Sequence, residues 1–119
     1  MLRNLLFAGS FLAISALPVL AMPTPRQQLA TWVNLKAIEG TCSISKNQAQ
    51  FIQVYGINAK QAWDRSGLRT NEMNAVIRKT TSNISEMYGD LKANEGQAAA
   101  LMIFCKASDK LINKLIRDN

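Results

Sequence analysis

Cys42 and Cys105 are the two cysteines of this 119-residue chain, and no histidine accompanies them. Two thiols without imidazole make a poor zinc site, because a four-coordinate ion would need carboxylates to complete its shell. With 62 residues between them they are not a C-x-x-C redox pair. The remaining chemistry is a structural disulfide, which an oxidising compartment would form and keep. Closing so long a loop is worth about 4 kcal/mol on the chain-entropy account.

The other residues that could act are cations and carboxylates. Lys106, Lys110, Lys114 and Arg117 fall within an arc of about 80° when placed at 100° per residue. Leu101, Cys105, Leu111, Ile112, Leu115 and Ile116 take the other side. Such a basic stripe suits phosphates, anionic head groups or an acidic protein. The plainer reading is a solvated face whose cations complement the helix dipole, and Asp109 and Asp118 dilute it. A second basic group, Arg65, Arg69, Arg78 and Lys79, surrounds a turn. Single-stranded nucleic acid would want aromatics interleaved with those charges. The six aromatics beyond residue 21 mostly fall on core faces, so nucleic acid is not the expected partner.

Catalysis is not expected. Acid–base chemistry near neutrality and Ser/His or Cys/His nucleophile pairs both lack their imidazole. There is no glycine-rich phosphate loop. The eight carboxylates form no compact pair, and Asp64 with Glu72 or Asp90 with Glu95 would meet only through the tertiary fold. No cofactor and no metal are expected. Met73, Met87 and Met102 could suggest a soft-metal site but read more simply as adaptable core filler. Trp32 and Trp63 read as core, either becoming a partner anchor if exposed.

The elements that would hold these residues are helices. Thr24-Pro25-Arg26-Gln27 offers a capping threonine, a proline at the first helical position and a glutamine at N3, with Gly40 as the stop. Ser45-Lys46-Asn47-Gln48 starts a second helix with Phe51, Ile52, Tyr55, Ala59, Ala62 and Trp63 inward, ending near Ser66-Gly67. Gly56 inside it marks a kink or a close helix contact. Thr70 or Asn71 would cap a third helix, stopping at Gly89 and interrupted by Thr80-Thr81-Ser82-Asn83, whose side chains compete for backbone hydrogen bonds. A fourth opens at Asn94-Glu95-Gly96-Gln97 and runs toward Arg117. The expected architecture is all-α, a small four-helix bundle stapled by Cys42–Cys105.

Ahead of the bundle, Arg3 precedes an apolar run from Leu5 to Leu17, followed by Pro18-Val19-Leu20-Ala21. One cation, a greasy core and small residues at −3 and −1 are the parts of a cleavable signal peptide. Thirteen helical residues span about 20 Å, short of a bilayer's roughly 30 Å core. The expected organisation is a signal peptide over 1–21 and one helical domain over 22–119, exported to the periplasm or secreted. With 14 Lys+Arg against 8 Asp+Glu, the chain stands at +6.

The expected function is noncatalytic binding of an envelope component or a protein partner, with the basic stripe as contact. Small helical periplasmic chaperones of acid stress share the design of signal peptide, helical bundle and single disulfide, an analogy of architecture that does not transfer function. A chaperone or stress role would have acid protonate the carboxylates and open the core by self-repulsion. Two other classes stay open. One is a secreted effector, inhibitor or immunity-type protein that binds a specific macromolecule. The other is a protein that binds anionic membrane surfaces.

Overall fold

The structure, a computed structural model, describes residues 23–119. The expected signal peptide, residues 1–21, lies outside them. Four helices follow in order: α1 (Pro25–Thr41), α2 (Lys46–Ser66), α3 (Thr70–Glu95) and α4 (Gln97–Asp118). No strand occurs among the described residues. The all-α bundle with a Cys42–Cys105 bridge is therefore what the chain forms, with the Cα atoms 5.6 Å apart.

Local chemistry accounts for the helix starts. The Thr24 hydroxyl accepts the Gln27 N–H at 3.1 Å, and the Gln27 amide oxygen accepts the Thr24 N–H at 2.8 Å. Ser45 and Gln48 repeat this reciprocal box at 3.1 and 2.9 Å. Each pair satisfies two backbone donors that a helix end would otherwise leave open. Gly67, at φ 77°, closes α2 in the left-handed region, and Gly96, at φ 87°, is the single residue between α3 and α4.

Three boundaries differ from the sequence expectation. Gly40 lies inside α1, which continues to Thr41 and is capped by Cys42, whose N–H donates to the carbonyl of Ile38 at 2.8 Å. The cap of α3 is Arg69 rather than Thr70 or Asn71, because Glu72 reaches back to the Arg69 N–H at 2.8 Å. Gly89 does not stop α3, which runs six residues further. Leu91, two positions on, is 1% exposed and is the only fully buried residue of that helix. Its burial outweighs the roughly 1 kcal/mol that glycine costs in a helix. The Thr80–Asn83 stretch stays helical.

The core gathers Leu35 and Ile38 of α1, Ile52 of α2, Leu91 of α3 and Ala100, Phe104, Leu111, Ile112 and Leu115 of α4. Tyr88 meets Phe104 edge-on at 5.5 Å between ring centres. α1 is the central element, packed on α2 and α3 and touched by α4. That position explains why its apolar residues form no single stripe and why Thr31 and Asn34 are buried beside Leu29 and Leu35. The buried polar groups are satisfied. Ser108 donates to the Phe104 carbonyl at 2.7 Å and Asn34 to the Ala30 carbonyl at 3.0 Å.

On the α2 face, Ile52, Ala59 and Trp63 are buried as expected, while Phe51, Tyr55 and Ala62 are half-buried. Two residues of α4 depart from expectation. Leu101, placed inward by the wheel, is 41% exposed, and Met102, read as core filler, is 71% exposed. They lie on the first turns of α4, where Ala100 and Phe104 are the fully buried residues and Ile103 packs against the core beside them.

Candidate binding surfaces

Two surfaces stand out, and the first is the outer side of α4. Leu111, Ile112 and Leu115 bury one side of this helix, and that burial turns Lys106, Lys110 and Arg117 to solvent. None of these three makes an ion pair among the described residues. Lys114, the fourth cation of the expected stripe, is half-buried and pairs with Asp118 at 3.3 Å. Asp109, the acid inside the stripe, is drawn toward α2. Its Oδ1 accepts from Gln48 Nε2 at 2.8 Å, and the same amide reaches Asn113 Oδ1 at 3.2 Å. The stripe is thus three free cations and one neutralised one, on a helix held by a disulfide and a buried amide.

In the sequence Gln48 stands only as part of the start of the second helix. It is 7% exposed and uses its oxygen for the cap and its nitrogen for α4, so one side chain starts α2 and fastens it. Nothing in its local spacing announces the second role.

The second surface is a groove of about 840 Å³ between α1 and α2. On α2 it follows Lys46, Ala49, Gln53, Gly56 and Lys60, at spacings of three and four, with Gln50, Ile52 and Ile57 beside them on the same face. On α1 it is bounded by Trp32, Lys36 and Glu39. Gly56 is the close contact its sequence position suggested. A Cβ there would lie 2.3 Å from Trp32 Nε1, so only glycine lets the indole settle against the α2 backbone. Trp32 is consequently a half-buried wall of the groove, whereas Trp63 is core. Ile57 is 52% exposed at the edge of the groove.

Outside the groove lining, Tyr55 is half-buried and packs against the core. Burial pushes its phenol above the ordinary value, and a hydrogen bond with the Thr31 hydroxyl offsets part of that rise.

The other charged residues singled out in the sequence are placed as follows. Arg65, Arg69, Arg78 and Lys79 are all exposed, and none of them makes an ion pair among the described residues. Asp64 pairs with Lys60, and Glu72 with Arg26, not with each other. Among the described residues no group of three or more histidine, cysteine or acidic side chains is placed to hold a metal. No helix there is long and apolar enough to cross a membrane. Comparison with protein-family models, curated proteins and solved structures finds no match.

Proposed function

We propose that the chain is an exported, noncatalytic protein that works by binding an anionic partner of the cell envelope through the outer face of α4. The observation that supports this reading is the row Lys106, Lys110 and Arg117, exposed and without carboxylate partners. Unpaired cations on one helical face raise the local positive potential and attract phosphates or acidic protein surfaces. The disulfide fits an oxidising compartment such as the periplasm. The first turns of α4 add Leu101 and Met102, which extend the same helix with apolar contact area.

Vesicle flotation tests the lipid arm. The protein is expected to float with anionic vesicles at low ionic strength, not with zwitterionic ones, and to be released as salt rises. The variant Lys106→Ala/Lys110→Ala/Lys114→Ala/Arg117→Ala should lose that binding. Pull-down from solubilised envelope tests the protein arm with the same variant. Equal recovery of parent and variant in both arms would reduce the stripe to a solvated face.

A further inference from the structure

We propose that the α1–α2 groove is a docking site for an acidic amphipathic helix supplied by a protein partner. The positions that α2 gives to the groove, between Lys46 and Lys60, all fall on one face of the helix, with Lys46, Ala49, Gln53, Gly56 and Lys60 three or four residues apart along it. That is the seam a helix presents to another helix laid along it. Its length is about 21 Å, four turns, which matches a partner segment of similar length.

The floor and the ends of the seam have different chemistry. Half-buried Trp32 and exposed Ile57 provide apolar surface in the middle, and Ala49 leaves room for close approach of a backbone. A lysine stands at each end. Lys46 makes no ion pair among the described residues. Lys60 holds only Asp64, in a pair whose side chains are 72% and 57% exposed, an arrangement of little intrinsic worth that an incoming carboxylate can replace. Lys36 and Glu39 neutralise one another on the α1 side. A partner helix with apolar residues in its centre and carboxylates toward both ends complements this pattern.

The same features weigh against other occupants. A second copy of this chain, at +6, would bring a cationic surface against a cationic rim. A flat bilayer surface does not enter a groove between two helices. A single acyl chain would want an enclosed apolar channel, and here Gln50 and Gln53 interrupt the lining. The groove shares no residue with the α4 stripe, so either surface can fail without the other.

Site-specific photocrosslinking in the cells that produce the protein tests this directly. Benzoylphenylalanine at Gln53, an exposed groove position, is expected to capture a partner segment whose sequence is an acidic amphipathic helix. Yield should fall at least roughly tenfold in Lys46→Glu/Lys60→Glu, since reversed charges face the partner's carboxylates. It should fall likewise in Ile57→Asp, and stay at the parent level in the α4 quadruple alanine variant. Circular dichroism melting confirms that each variant is folded. The captured segment, made as a peptide, should then shift the emission of Trp32 in the intact protein. Capture of lipid, of a second copy, of a segment without the acidic helical pattern, or of nothing would overturn the proposal. So would a yield indifferent to Lys46, Lys60 and Ile57.

Discussion

The corner where α1, α2 and α4 meet and the N-terminal half of α3 are built on opposite terms. At the corner, Cys42–Cys105 joins α1 to α4, and buried Gln48 joins α2 to α4. Along residues 70–83 of α3 no side chain is fully buried. The tertiary polar tie there is the Arg26–Glu72 pair at 3.3 Å, with side chains 54% and 39% exposed. Both candidate surfaces, the α4 face and the α1–α2 groove, lie on the fastened helices. The loose cations Arg78 and Lys79 lie on the other. Binding groups gain from being held before the partner arrives, because less ordering remains to be done on contact.

Removing the covalent tie tests this contrast most severely. Cys42→Ser/Cys105→Ser should lower unfolding free energy by about 4 kcal/mol, read as a urea midpoint shift. A loss below about 1 kcal/mol would mean that packing alone holds the corner. Gln48→Ala comes next, at about 1–2 kcal/mol, since Asp109 and Asn113 are exposed and can turn to water once released. Its effect should be non-additive with the cysteine pair, because both changes free α4 from the same corner.

A smaller effect, visible only in alkali, belongs to Tyr55. Its folded-state pKa is raised, so folding favours the neutral phenol. Above the unfolded phenol's pKa of about 10 the unfolded chain releases that proton first, and stability falls as pH rises. Tyr55→Phe should cost about 1 kcal/mol at neutral pH through the lost Thr31 hydrogen bond, and should lose stability less steeply above pH of about 10 than the parent. Parallel alkaline curves for the two proteins would remove Tyr55 from the account. Smallest of all, Arg26→Ala should change stability by no more than about 0–1 kcal/mol, less at high salt. A larger change would show that the N-terminal half of α3 is fastened after all.

Much of the architecture was legible in short-range patterns. The capping boxes at Thr24 and Ser45, the stop at Gly67, the extent of α4 and the alignment of its cations follow from neighbours within one or two turns. Gly56 was legible in kind, since a glycine inside a helix points to a close approach, but its partner Trp32 was not. Gly89 and Gly40 misled for the opposite reason. Their local cost is real; past Gly89 the burial of Leu91 against other helices overrides it, and past Gly40 the helix adds only Thr41 before Cys42 caps it on the Ile38 carbonyl.

Helix-cap punctuation, helical periodicity, the excess of cations and the absence of imidazole are properties of the linear chain, because each depends on residue identity or on spacings no longer than a helix turn. Which cations stay unpaired, that Gln48 bridges to α4, that Leu101 and Met102 face outward, and that α1 and α2 leave a groove walled by Trp32 arose only on packing. These depend on distances between helices, and backbone spacing within one helix carries no information about what lies across from it.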